Sequence, residues 1–430
     1  MSVAVDSGPP PAQPLSAEAF NYPDIATNVS EASRELIEFP ARNGADGYGP
    51  AGTTRISFPL APGQNYWDPI NSHIMFDVLQ TGSANDQRKL GYIGLASVVR
   101  TFIFKQQGGQ PILRLDSYHI ILSVLAQFYS PEWIYGAGRR YGYGSDAQRE
   151  ADAVLATPGK QMELDTAAMG PFRARRMFPN FAAGLEFVME LEQPLLAQVA
   201  ATGTPSYQLS NAKMLAELVT GTAFLDEAIL EGMAAGIPLE IPCDHYRYVP
   251  QAVLANETVT QKQFSVQQDQ VVTYLNRFIL QSSLSTQTVD AFELSVNPGI
   301  LSEQLQLGGQ LIPPQPVNYT NGAAEAIAVI HNAMFRHESP LSAMMDGDMF
   351  AVNPPVGGVP SQASRMMTAI GIGSARDAHA NAGLNLNTPP GQSTLRLNLA
   401  AQLSLVLQIL QVVNYVVIVR ILPNQIEAAG

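Results

Sequence analysis

Gln106-Gln107-Gly108-Gly109-Gln110-Pro111-Ile112 returns about 200 residues later as Gln306-Leu307-Gly308-Gly309-Gln310-Leu311-Ile312. Each copy follows alternating β-type residues, Val98 to Phe104 and Leu301 to Leu307, so each glycine pair sits where a hairpin turn needs positive φ. Each copy also leads into a helical run. In the first, Asp116 is the expected N-cap and Ile120, Ile121, Val124, Leu125 and Phe128 share one face, up to a stop at Ser130-Pro131. In the second, Gly322 to Phe335 carries Ile327, Ile330 and Met334 at helical spacing, with a stop at Ser339-Pro340. Agreement continues outward. Ile56-Ser57-Phe58-Pro59 before the first copy has a counterpart in Leu239-Glu240-Ile241-Pro242, and Leu185 to Leu191 after it is answered by Leu395 to Leu399. A Gly-Gly-Gln match alone is cheap; the shared order on both sides predicts one β-rich unit duplicated.

A chain of 430 residues is natural for two domains with real cores, and 46% hydrophobic residues fit a globular protein. Only 14% are charged, well below the usual quarter, as expected of a surface that meets other protein. The formal charge of −13 argues against a chain that itself neutralises phosphates. A single cysteine, Cys243, rules out an internal disulfide and fits a reducing compartment. The Met1 start shows no basic segment with an apolar core, so no secretory leader is expected. Leu397 to Leu422 is apolar enough to suggest a membrane, but Gln402, Ser404, Gln408, Gln411, Asn414 and Arg420 interrupt it, and it reads as two buried strands.

These signals divide the chain into an N-terminal arm over 1–50, a first β-unit over 51–236, a second over 237–424 and a short, frayed tail over 425–430. Within the arm, Ser30 to Phe39 is expected to form a helix closed before Pro40. First-unit strands are expected at 55–60, 74–80, 98–104, 112–115, 161–164, 185–192 and 207–218. In the second unit they fall at 239–241, 246–254, 258–266, 271–280, 292–296, 301–307, 395–403 and 412–422. A helix from Phe224 to Ala235 joins the units. Two long insertions, Trp133 to Gly170 and Pro340 to Gln392, are expected to be equivalent, to project from one end and to make contacts.

No catalytic, cofactor-binding or metal-binding residue is assigned. The loop Gly136 to Gly144, with Arg139 and Arg140, invites a phosphate-cradle reading, yet its glycine spacing is not a dinucleotide fingerprint and no Walker lysine follows. An ordered protein-contact loop fits better. His73, His119, His245, His331, His337 and His379 are scattered without a ligand motif, and Asp346, Asp348 and Asp377 are explained as well by turns. Ser374 lacks the second glycine of a nucleophile elbow, and Cys243 reads as a small core residue. Sequons at Asn28, Asn256 and Asn318 mean little without a leader. Arg173, Arg175 and Arg176 form the strongest basic cluster, read as a salt-bridged subunit contact in preference to a nucleic-acid patch.

Tyr66-Trp67-Asp68-Pro69-Ile70-Asn71-Ser72, then Ser97 to Phe104 ending in the Gly-Gly turn, then a helix from Asp116-Ser117-Tyr118, resembles the first half of double jelly-roll major capsid proteins, most similarly those of polinton-like viruses and virophages. Tyr207-Gln208-Leu209-Ser210-Asn211 leading into Leu215 to Leu218 resembles the closing strand of that first jelly roll. The likeness covers about Ser33 to Leu422. It implies an all-β fold of two tandem eight-stranded antiparallel jelly rolls with short flanking helices. It further implies a non-enzymatic, cofactor-free coat protein that forms pseudo-hexagonal homotrimers in the virion capsid of a double-stranded DNA virus, assembled inside the host cell. Implied partners are the chain itself, neighbouring capsomers, penton and minor capsid proteins and, through the arm, an internal membrane or a minor protein; sequence-specific nucleic-acid binding is not implied. Two other classes stay open, a bicupin-type metal enzyme and a carbohydrate-binding β-sandwich.

Overall fold

The structure is a computed structural model and describes residues 33–42, 47–60, 65–81, 88–153, 159–174, 176–179, 184–200, 205–220, 229, 231–232, 234–235, 238–264, 271–286, 288–293, 295–307, 309–319, 328–330, 333, 361–364, 367–372, 393–422 and 425–429. Its principal strands are β1 (Arg34–Pro40), β2 (Arg55–Leu60), β3 (Tyr66–Thr81), β4 (Val99–Gln106), β5 (Pro111–Asp116), β6 (Lys160–Glu163), β7 (Leu185–Leu191) and β8 (Ser206–Val219). The second set is β9 (Leu239–Val253), β10 (Val259–Phe264), β11 (Val271–Leu280), β12 (Ile300–Leu307), β13 (Gln310–Asn318), β14 (Met367–Gly371), β15 (Ser393–Leu399) and β16 (Leu407–Leu422), with β17 (Gln425–Ala429) at the end.

The first set forms two sheets, β1-β8-β3-β6 and β2-β7-β4-β5, and the second forms β9-β16-β11-β14 and β10-β15-β12-β13. Adding eight to every strand number of the first pair produces the second. All these pairings are antiparallel. Among the described residues, no ladder joins a strand of one set to a strand of the other. Each set is thus a jelly roll, and the duplication read from the sequence is present in the backbone.

The repeated turns do what glycine there requires. Gly108, between β4 and β5, has φ +71°, and Gly309, between β12 and β13, has φ +90°. A Cβ on either would meet nothing within 4 Å, so backbone conformation alone calls for glycine. After the first turn the helix α1 (Tyr118–Leu125) starts from Ser117, one residue past the expected cap, and Ser117 itself is left-handed at φ 57°. Ser130-Pro131 ends that run and opens α2 (Pro131–Tyr135), where the Ser130 hydroxyl accepts from the Trp133 N–H at 3.2 Å. The helix α3 (Asp146–Ala151) follows, closed by a capping box between Ser145 and Gln148. The expected helices Phe224 to Ala235 and Gly322 to Phe335 lie largely outside the described residues; the described fragments 231–232 and 328–330 are helical.

Several expectations are corrected. Arg34–Pro40 is not helical: it is β1, paired with β8 from Arg34↔Val219 to Pro40↔Lys213. Its alternation half-buries Ile37 and Phe39 while Leu36 faces solvent, and pairing with a long neighbouring strand outweighs the local cap signal. With β1 as the opening strand, Ile56–Pro59 and Leu239–Pro242 are not counterparts: the first lies on β2, the second on β9, the equivalent of β1. β9 is one strand where two were expected, and it tolerates Pro242 and Pro250 because it is a sheet edge. β13, the strand after the second Gly-Gly turn, tolerates Pro313, Pro314 and Pro316 because it too is an edge, bulged opposite Gln304. β14 lies inside the expected loop Pro340 to Gln392, most of which is outside the described residues. The tail is not frayed, for β17 pairs with β16 from Gln425↔Leu422 to Ala429↔Ile418. The apolar stretch Leu397 to Leu422 does hold two strands, the end of β15 and all of β16.

Candidate assembly surfaces

The two jelly rolls meet through side chains. Arg149 of α3 is 1% exposed and donates to Asp290 at 2.6 Å, Glu293 at 2.8 Å, Asp146 at 2.6 Å and the Leu90 carbonyl at 3.0 Å. Its planar fork serves four oxygens at once, which a lysine could not do. Gln127 donates to the Phe292 carbonyl at 3.1 Å, and Arg277 of β11 reaches the Ser123 hydroxyl on α1 at 3.1 Å. Lower down, His245 of β9 lies 3.1 Å from the Arg114 carbonyl on β5, and Arg176 donates to the Glu240 carbonyl at 2.8 Å. Gly170 comes so close to β9 that a Cβ there would fall 1.9 Å from the Asp244 carbonyl oxygen. Burial pushes the His119 and His245 imidazoles down to about 4, so both are neutral at pH 7 and the contact there is uncharged.

The residues singled out in the sequence do not converge on one site. In the Gly136 to Gly144 loop, Arg139 is held by Asp152 at 2.9 Å and the Tyr143 carbonyl at 3.0 Å, while Arg140 pairs with Glu163 at 3.3 Å and lies over the Tyr141 ring. Both arginines are engaged by carboxylates of the same insertion. Arg176 donates to the second jelly roll of its own chain, and Arg175 lies outside the described residues. His73 pairs with Glu163 at 2.7 Å, far from His119 against the Val99 carbonyl. Among the described residues no group of three or more His, Cys, Asp or Glu side chains could hold a metal. His331, His337, His379, Asp346, Asp348, Asp377 and Ser374 lie outside them. Cys243 is buried, and burial pushes its thiol well up, away from nucleophile chemistry.

No family model and no curated protein matches the sequence. Solved structures do match. The chain aligns over 97% of its length with 92% of the faustovirus major capsid protein, at TM-score 0.56 and 8% identity. It aligns over 93% with 97% of a chain of the PBCV-1 virus capsid, at TM-score 0.53 and 11% identity. A third match covers 93% of this chain and 88% of a chain of the Sputnik virophage, at TM-score 0.51 and 12% identity. The chain has the double jelly-roll fold. At such identities the likeness is one of fold, and it spans both jelly rolls and their connection.

Two outer faces of this double jelly roll stand open. On sheet β10-β15-β12-β13, register places Val259, Asn398 and Ser302 in one row, Gln261, Arg396 and Gln304 in the next, and Gln263, Thr394 and Gln306 in a third. Asn398 donates to Ser302 within the first row at 2.7 Å, and Arg396 to Gln306 across the second and third at 2.8 Å. A groove of about 200 Å³ runs over the first two rows and reaches Pro316. In a chain of net charge −13, the single charge in these three rows is a cation. On sheet β1-β8-β3-β6, Leu36 is 59% exposed beside ion pairs of Arg34 with Glu217 at 3.2 Å and Lys213 with Glu38 at 3.2 Å. Neither face was legible as a surface in the sequence, because which residues share a row depends on register between strands far apart in the chain.

Proposed function

We propose that this chain is the major capsid protein of a double-stranded DNA virus, three copies of which form a pseudo-hexagonal capsomer that tiles an icosahedral shell. The observation that carries the reading is one jelly-roll topology drawn twice in a chain whose fold matches viral capsid chains over nine-tenths of its length. The physical chemistry agrees. A shell is built from many repeated, moderate contacts, and closed symmetry lets one surface satisfy every neighbour. Sparse charge limits repulsion between close-packed copies. In this reading the protein is structural and not catalytic, resides in the virion and assembles in the host cell. Its partners are its own copies, penton and minor capsid proteins, and whatever membrane or minor protein the N-terminal segment reaches. The acidic balance leaves the genome to other components, so DNA affinity at physiological salt is weak. Light scattering and negative-stain electron microscopy of the purified protein test this. Particles of three times the chain mass with hexagonal outlines are expected, and a monodisperse monomer at micromolar concentration would overturn it.

A further inference from the structure

The equivalent sheets β2-β7-β4-β5 and β10-β15-β12-β13 carry the same bulge, which falls between Val99 and Thr101 on β4 and between Ile300 and Ser302 on β12. Counted from that bulge, the row Ser57, Val188 and Ile103 of the first roll is equivalent to the row Gln261, Arg396 and Gln304 of the second. The first row is small or apolar, and all three residues are buried. Beside it, Glu186 pairs with Lys105 at 2.9 Å and accepts from the Ser57 hydroxyl. In the second roll Thr394 and Gln306 take the places of Glu186 and Lys105, so Arg396 has no carboxylate in the next row.

Among the described residues Arg396 donates only to Gln306, at 2.8 Å, and no carboxylate pairs with it. Its Nε–H is enclosed without an acceptor. The guanidinium borders the groove of about 200 Å³, room for roughly seven waters and hence for a group the size of one sugar ring. The amides around it are already oriented. Gln304 commits its Nε2 to the Pro313 and Pro314 carbonyls at 3.0 and 3.2 Å, and Asn398 its Nδ2 to Ser302, so each keeps its oxygen as an acceptor. Gln261 is exposed and makes no hydrogen bond among the described residues. Val259, 61% exposed, and Pro316 add apolar walls. A cation for a carboxylate, oxygens for hydroxyl protons and apolar edges for C–H groups together fit a sugar acid. The same acceptor oxygens repel those of a phosphate, and a net charge of −13 disfavours any polyanion. The lining holds no aromatic anchor of the kind that protein partners use.

We propose that the groove over Gln261, Arg396 and Gln304 binds a carboxylate-bearing sugar, with Arg396 on the carboxylate and the Gln304 and Asn398 oxygens on the ring hydroxyls. This goes beyond the capsomer reading and does not rest on it. One open groove holds one ring weakly, in the millimolar range. Repetition over many copies raises such single contacts to a useful avidity.

Ligand-observed saturation-transfer NMR on the full-length protein tests this. The probes are glucuronic acid, its neutral counterpart glucose, and N-acetylglutamate, which has carboxylates without ring hydroxyls. Transfer to the ring protons of glucuronic acid is expected, with glucose bound about tenfold more weakly for want of the charge-assisted bond. Arg396→Gln should reduce glucuronic acid to the level of glucose. Equal transfer to glucose, equal transfer to N-acetylglutamate, or transfer that survives Arg396→Gln overturns the proposal. Should Arg396→Gln not fold, Gln261→Ala, at an exposed position, decides instead, and undiminished transfer to that variant overturns it. Absence of transfer to glucuronic acid at millimolar concentration overturns it as well, in a sample whose light-scattering mass separately decides the capsomer reading.

Discussion

Between the sheets of the first jelly roll, Trp67 of β3 meets Phe187 of β7 at 5.0 Å and Phe172 at 5.2 Å, and Phe187 stacks on Phe104 at 5.2 Å. Between the sheets of the second, Glu303 of β12 accepts hydrogen bonds from Asn276 of β11 at 2.8 Å, Thr368 of β14 at 2.8 Å and Tyr319 at 2.9 Å. The strand order is the same, and these two clusters differ in kind. Aromatic rings bury much area with little directional demand, so the first roll is held by packing. A buried carboxyl must be satisfied by particular donors, so in the second roll both sheets are registered on one side chain. The jelly-roll path therefore does not depend on one kind of core; it depends on edges, turns and pairing that both halves share.

The largest expected effect is in the aromatic half. Trp67 is fully buried, and its indole N–H donates to Ser72 at 2.8 Å. Trp67→Ala should cost about 4 kcal/mol through the cavity and the lost transfer energy, measured by denaturant unfolding. A loss below about 1 kcal/mol would mean that the rings collapse into the gap and that this core is not close-packed.

In the polar half the effect depends on pH. Burial pushes the Glu303 carboxyl up to about 7, against the lowering effect of its three hydrogen-bond donors. Between the ordinary carboxylate range and about pH 7 the folded state therefore holds a proton that the unfolded chain has released. Stability from this group is complete at the acid end of that window, falls as pH rises through it and levels off above. The fall should be about 3 kcal/mol. Glu303→Gln keeps the shape without the charge, so subtracting its stability profile from that of the native protein should isolate this slope. Parallel profiles for the two proteins from pH 5 to pH 8 would show that Glu303 is ionised in the fold throughout.

The smallest effects test what the halves share. Gly108→Ala and Gly309→Ala should each cost about 1 kcal/mol, because both glycines hold positive φ with open space around them. Equal losses would sharpen the equivalence of the two turns. A loss at one position and none at the other would break it.

Much of this architecture was legible in the residues. The Gly-Gly turns, the alternation in β4, β7, β11 and β12, and the apolar β16 are local signals, set by φ preference and by a two-residue period that needs no partner to be read. The stop expected at Ser130-Pro131 is also where α2 opens. The candidate surfaces were not legible. Arg149, the tie between the rolls, looks in sequence like any arginine on a short polar helix, and its partners Asp290 and Glu293 lie in a different roll. Glu303 sits in an alternating strand, and Asn276, Thr368 and Tyr319 converge on it only after both sheets are stacked.

By itself, then, the order of residues determined that the chain is β-rich, duplicated and turned at two equivalent glycine pairs, since each of these follows from backbone geometry within a few residues. Tertiary structure alone decided that Arg34–Pro40 is a strand, that the proline-rich β13 closes a sheet edge, that Arg176 is spent inside the chain, and that Leu36 and Leu311 are left uncovered. The reason is the range of the interaction. A turn or a cap is satisfied by its neighbours in sequence, whereas an edge strand, a buried ion pair or an open face is defined by what arrives from far along the chain, and propensity yields to that pairing.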